Sequence, residues 1–94
     1  MTINTDTILK PTIHLNGTGR RALSTQYENA SEALRHAIEV IAEMGPNGRD
    51  YYPQGDDAFY KARDQFCAQL AKVNEVKEYV DALLEHVVNS GGKR

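Results

Sequence analysis

Apolar residues between Thr18 and Gly45 recur at alternating steps of four and three. They are Leu23, Tyr27, Ala30, Leu34, Ala37, Ile41 and Met44. This spacing places them on one stripe of an α-helix, at the period that favours side-by-side packing with a second helix. The Thr18 hydroxyl can cap the start. Gly45 and Pro46 predict a stop, because glycine accepts the left-handed conformation and proline cannot continue the helix. The first helix is predicted over about 19–44.

A second helical pattern follows Asp56 and Asp57. Either residue can act as the N-cap, with its negative charge at the positive end of the helix dipole. Apolar residues then recur at steps of seven, with others filling the positions between them less regularly. The residues at steps of seven are Phe59, Phe66, Val73, Val80 and Val87. Polar and glycine residues over 89–92 are typical of a helix end, so the second helix is predicted over about 57–89.

These two patterns predict an all-α fold. We expect a long antiparallel two-helix hairpin over residues 13–90 with a loop over 45–56, a flexible N-terminal arm over 1–12 and a tail over 91–94. The alternation of polar and apolar residues over 12–15 indicates a short strand or an extended arm. The second helix carries more apolar surface than one helix contact covers, and short chains bury a modest fraction of their surface. We therefore expect assembly into an oligomeric bundle of four or more helices.

Composition narrows the class of protein. The chain has 94 residues, 40% of them hydrophobic and 26% charged, which is typical of one small globular domain. No apolar run approaches the roughly 18 residues needed to cross a bilayer, and residues 1–12 lack a signal pattern. We expect a cytoplasmic protein without membrane association. The net charge of −2 argues against a nucleic-acid polymer as partner, since such binding needs a concentrated basic surface.

The turn before the first helix is the first candidate binding site. From Asn16 to Arg21 it combines two glycines, free N–H groups at a helix start and the guanidinium groups of Arg20 and Arg21. This combination suits a phosphate or another anion. Thr18 lies within the turn and His14 beside it, so both join the candidate set. The alternative is a tight turn and helix cap with two solvated arginines.

The loop between the helices is the second candidate site, because it is longer and more aromatic than a connection requires. Four of the seven aromatic residues fall within ten positions, namely Tyr51, Tyr52, Phe59 and Tyr60. Tyr51 and Tyr52 offer flat faces for a base. Arg49 can reach a phosphate or carboxylate, and Gln54 can bind polar edges. The alternative is that the tyrosines cap the end of the bundle while Arg49 pairs with Asp50.

The titratable residues form no catalytic pattern. His14, His36 and His86 lie on three different elements without ligand spacing, and no nucleophile–histidine–acid arrangement is evident. Cys67 is the only cysteine, and in mid-helix beside Phe66 we expect it to be a small packed residue. We expect no enzyme activity, no metal and no cofactor.

The two candidate sites are predicted to lie at opposite ends of the hairpin, roughly 39 Å apart. They cannot form one pocket within a monomer. If two hairpins pair head to tail, the turn of one subunit approaches the loop of the other, and a composite site exists only in the oligomer.

Two motifs carry a resemblance. IHLNGT at 13–18, followed by NGRDYYP at 47–53, resembles a group of small uncharacterised proteins encoded by phages and prophages, over roughly residues 13–88. In architecture alone, the design resembles phage sponges of the anti-CBASS and anti-Thoeris type, which are small helical-hairpin oligomers that sequester nucleotide immune signals. Together with the two candidate sites, these resemblances lead to the hypothesis of a phage-derived binding protein that sequesters a small phosphorylated, nucleotide-like signal inside the bacterial host. The alternative is a protein–protein interaction module that docks on a host or phage protein.

Overall fold

In a computed structural model, which describes residues 4–91, the chain folds as a hairpin of two long helices. Helix α1 spans Arg20–Ala42 and helix α2 spans Ala58–Gly91. No strand occurs in this part of the chain, so the strand predicted as one option for 12–15 is wrong there. The molecule is a rod of 62 × 23 × 19 Å. The all-α class and the helical hairpin are confirmed.

The start of α1 differs from the predicted capping. Gly19, with φ −67° and ψ 157°, is the N-cap residue, and no side chain caps this end. Its carbonyl oxygen accepts a hydrogen bond from the Leu23 N–H at 3.0 Å. Thr18 precedes the N-cap position by one residue, and its hydroxyl makes no hydrogen bond to the first turn. The predicted Thr18 cap is therefore wrong.

The end of α1 also differs from the predicted stop. The chain tightens into i→i+3 hydrogen bonds, in which Met44 N–H donates to Ile41 at 2.8 Å and Gly45 N–H donates to Ala42 at 3.2 Å. Such tightening satisfies the last helical carbonyls without a left-handed residue. Positive φ occurs at Gly55 among the described residues, and not at Gly45. The left-handed stop predicted at Gly45 is wrong.

Helix α2 begins directly after Asp57, one of the two residues proposed as its cap. The Asp57 carbonyl oxygen accepts a hydrogen bond from the Lys61 N–H at 3.1 Å. The helix continues through Gly91, the first residue of the predicted tail. The remainder of that tail, 92–94, and residues 1–3 of the predicted arm lie outside the described residues.

The two helices pack along the predicted stripe of α1. Six of its seven positions are half-buried, whereas Met44, at the end of the stripe, is 68% exposed. The Ser31 hydroxyl donates to Asp81 Oδ1 at 2.5 Å. Near the loop, a Cβ added at Gly45 lies 3.9 Å from the Phe66 ring. The middle of α1 thus contacts the later part of α2, and the segment just after α1 lies beside the earlier part of α2.

The core is small and lies near the end of α2. Leu83 and Val87, at 6% and 0% exposure, are the buried side chains among those described. The N-terminal arm reaches this region. A 3₁₀ turn at Thr5–Thr7 contacts α2, and the Pro11 carbonyl oxygen lies 2.8 Å from His86 Nε2. The arm thus contacts α2 at this turn and at Pro11, while its flexibility stays a prediction.

Candidate functional site

The turn before α1 is an exposed tight turn. Gly17 N–H donates to the His14 carbonyl oxygen at 3.2 Å. The His14 ring lies over the glycine, because a Cβ at Gly17 would come within 2.7 Å of Nε2. Asn16 and Thr18 are exposed. The turn therefore presents His14, Asn16 and Thr18 to solvent at one end of the rod.

The adjacent arginines are exposed and unpaired within the described residues. Arg20 and Arg21 are the first two residues of α1, and neither side chain makes a hydrogen bond or ion pair with residues 4–91. The first turn of α1 contains no acidic residue and has no side-chain cap. Its free N–H groups and the positive end of the helix dipole therefore add to the two guanidinium charges. We call residues 14–21 the open end.

At the other end of the rod, the loop has an ordered backbone. Two 3₁₀ turns, Gly48–Asp50 and Tyr52–Gln54, follow one another. Asn47 Oδ1 accepts a hydrogen bond from Arg49 N–H at 3.0 Å, and Gly55 leads out of the second turn with φ 129°. The length of the loop is thus used to build two turns rather than a simple connection. We call residues 45–57 the loop end.

A groove beside these turns brings together a cation and aromatic rings. This loop groove, of about 360 Å³, is lined by Gly48, Arg49, Tyr52, Gly55, Asp56, Phe59 and Tyr60. Arg49 makes no ion pair with Asp50 or with any other described residue, so the alternative in which these two side chains pair is wrong. The guanidinium group is available to a ligand.

The rear wall of the loop groove is an aromatic cluster on α2. The Phe59 and Tyr60 rings meet edge to face, with centroids 5.3 Å apart. The Arg63 guanidinium lies 5.2 Å from the centroid of the Tyr60 ring. The sequence pattern predicts no binding role for Tyr60. The three-residue step from Tyr60 to Arg63 is the signal that could have found this pair, since it places both on one face of a helix.

The two loop tyrosines do not lie in the same groove. Tyr52 lines the loop groove, whereas Tyr51 lines a second groove of about 370 Å³ between the helices. We call this second one the seam groove; Ile41, Met44 and Phe66 also line it. Gln54 is exposed and lies outside both linings. One flat ligand therefore cannot stack on both tyrosines within a single loop groove.

The open end and the loop end stay apart within one chain. Helix α1 has 23 residues, which at 1.5 Å per residue separates its ends by about 35 Å. A site that uses both ends needs a second molecule.

Other candidate chemistry is limited in the part of the chain that the structure describes. No group of three or more His, Cys, Asp or Glu side chains there could hold a metal ion. Cys67 is exposed, so the expectation that it is a small packed residue is wrong. Neither long helix has a stretch apolar and uncharged enough for a membrane span over residues 4–91.

Comparisons with known proteins give no relative: no family model matches the chain, and no curated protein or solved structure is significantly similar to it. Function has to be inferred from the residues themselves.

Proposed function

We propose that this protein is a non-enzymatic, oligomeric binding protein that captures a small phosphorylated, nucleotide-like molecule. In the phage context implied by the two motifs, it acts as an anti-defence sponge in the cytoplasm of the bacterial host. The observation that carries the proposal is the loop groove, where Arg49 lies unpaired beside Tyr52 and Tyr60. A cation next to aromatic faces complements a ligand that has both a phosphate and a base.

Each lining group has a distinct task. The Tyr52 or Tyr60 ring stacks on the base, which contributes about 1–3 kcal/mol per stacked base. Arg49 binds the phosphate, and a hydrogen bond to a charged group contributes about 1.5–3 kcal/mol. The Asp56 carboxylate accepts from ribose hydroxyls or from amino groups of the base, since an ionised carboxylate only accepts. Asp56 also disfavours ligands that place a second phosphate beside it.

The open end of a neighbouring subunit completes the site in an antiparallel, head-to-tail assembly. The order of contacts between α1 and α2 supports an antiparallel hairpin. In such an assembly Arg20 and Arg21 approach the loop end of the partner and bind further phosphate. Exposed His14, Asn16 and Thr18 add polar contacts there. Tyr51 and Gln54 lie beside the loop groove and face the neighbouring subunit.

Ligand binding can be tested with cyclic di- and trinucleotides and ADP-ribose derivatives in a thermal-shift screen, followed by calorimetry on any ligand that stabilises the protein. Tyr52→Ala should lower affinity roughly ten- to a hundredfold, because a stacking contact is lost. Tyr79→Ala is the matched control, since Tyr79 is an exposed tyrosine of α2 outside the loop groove. Equal affinity in the two variants, or no binding by any compound, contradicts the proposal.

A protein–protein interaction module is the second candidate. It is favoured by Leu9 and Leu15, which are almost fully exposed on the arm and the turn. In this case the arm and loop dock on a host or phage protein and no small molecule binds. A screen without any stabilising ligand, together with capture of one defined partner that Leu9→Ser abolishes, favours this candidate.

A further inference from the structure

The two ends of the rod carry opposite charge. The open end has Arg20 and Arg21 and no acidic residue, whereas the loop end has three carboxylates against one arginine. The carboxylates are Asp50, Asp56 and Asp57, all exposed. Asp57 contacts Lys61 at 3.4 Å between two largely exposed side chains, which is a weak interaction. One end of this molecule is therefore complementary in charge to the other end of a second copy.

The two ends also carry complementary apolar features, an exposed leucine at one end and an apolar groove at the other. Leu15, at the tip of the open-end turn, is 97% exposed. At the loop end, the seam groove is open and lined by the apolar side chains of Met44, Tyr51 and Phe66. The groove's volume of about 370 Å³ accommodates a leucine side chain. A protruding leucine and an apolar groove thus lie at opposite ends of the same chain, where a monomer cannot join them.

The exposed area is sufficient for such an interface. The chain exposes 6999 Å², whereas a folded monomer of 10.5 kDa is expected to expose about 5,400 Å². The difference of roughly 1,600 Å² exceeds the ~800 Å² that each partner buries in a standard interface. A second copy can therefore cover the excess surface.

We propose that two copies of this chain dock head to tail about a two-fold axis, with Leu15 of each seated in the seam groove of the other. The same docking places Arg20 and Arg21 against the carboxylates of the partner's loop end. Because the axis relates the two ends, both contacts form twice, as an isologous interface requires. The inference rests on the self-association in the proposed function, but not on its ligand.

This arrangement separates the roles of the two loop tyrosines. Tyr51 is covered by Leu15 of the second copy, while Tyr52 stays open in the loop groove. The arginines of the second copy then stand at the edge of that groove, where they partly neutralise Asp56 and add positive charge for a phosphate. The ligand site is incomplete without the second copy.

Disulfide trapping tests the pairing directly. In a Cys67→Ser background, a Leu15→Cys chain is mixed with an isotopically labelled Met44→Cys chain and oxidised mildly. A disulfide requires Cα atoms within about 7 Å, so head-to-tail docking should give mixed 15–44 dimers and no 15–15 or 44–44 dimers. Leu9→Cys is the matched control, an equally exposed leucine on the arm, and should give no dimer with Met44→Cys.

The other outcomes overturn the inference in distinguishable ways. Dimers linked 15–15 and 44–44 indicate parallel pairing, and an oligomer in light scattering without a 15–44 link indicates a different face. Either result contradicts the head-to-tail docking and leaves the ligand proposal intact. A 15–44 link without ligand binding contradicts only the ligand proposal. A folded monomer at micromolar concentration contradicts both the docking and the oligomeric binding protein.

Charge reversal gives an independent measurement on the uncrosslinked protein. Arg21→Glu should weaken self-association about two- to thirtyfold, because each two-fold dimer loses two exposed ion pairs. Asp56→Lys in the same chain should restore it. If sedimentation equilibrium shows that the double variant associates no better than Arg21→Glu, the proposed contact between opposite charges is wrong.

Discussion

The arginines among residues 4–91 fall into paired and unpaired groups. Arg35, on the exposed face of α1, contacts both Glu32 and Glu39. The hydrogen bond and charge of Arg35 lower the pKa of Glu32 below its usual range, and those of Glu32 raise the pKa of Arg35. Arg20 and Arg49, by contrast, have no such partner among the described residues. The unpaired arginines lie at the two ends of the rod, where a ligand can approach.

Gly55 determines the path of the loop and lines the loop groove. Its φ of 129° and ψ of 167° lie in a region that is essentially restricted to glycine. Gly55→Ala should lower the free energy of unfolding by about 1–3 kcal/mol, measured by urea denaturation. Gly48→Ala is the matched control: Gly48 has no positive φ, and an added Cβ meets nothing within 4 Å. If Gly48→Ala lowers the free energy of unfolding as much as Gly55→Ala does, the prediction for Gly55 is wrong.

At the scale of elements, α2 has two different partners along its length. Its inner face packs on α1, where Ser31 and Lys77 both donate to Asp81. Partial burial raises the pKa of Asp81, but these hydrogen bonds outweigh it and lower the pKa overall. Farther along, the arm contacts His86 through the Pro11 carbonyl oxygen. The arm is therefore part of the fold, and it leads directly into the open end.

Val87, at 0% exposure, is the most buried side chain among those described, so it tests the packing near the end of α2. Val87→Ala should destabilise the protein by about 2 kcal/mol, since it removes two buried methyl groups and leaves a cavity. Val76→Ala, at a position of α2 that is 50% exposed, should change stability by less than about 0.5 kcal/mol. Thermal denaturation of both variants is the measurement. Similar melting temperatures for the two variants would contradict the burial of Val87.

At the scale of the molecule, the shape explains why assembly is expected. The radius of gyration is 18.6 Å, against about 12 Å for a compact domain of this length. A rod with two buried side chains among those described has little hydrophobic stabilisation of its own. In the proposed assembly, a second copy covers part of this exposed surface.

Light scattering should therefore give a mass above 10.5 kDa at micromolar concentration. Phe66→Asp should lower that mass or unfold the chain, because a charge is introduced into the seam groove without a partner. Cys67→Asp is the matched control, one residue farther along α2 and exposed, and should leave both mass and fold unchanged. A wild-type monomer with native helicity would refute the assembly.

The sequence by itself determined the two helices and the stripe by which they pack. Periodic apolar positions act locally, so α1 and α2 begin and end within two residues of the predicted bounds. The short motifs around Arg20, Arg21 and Arg49, a glycine turn at a helix start and an aromatic loop, likewise identified these residues as candidates from the sequence. Only the tertiary structure decided where the arm packs, since Pro11 contacts His86, which lies 75 positions farther along the sequence. It also separated Tyr51 from Tyr52, because the two consecutive 3₁₀ turns send adjacent side chains to different sides of the loop, and no periodicity encodes that backbone path.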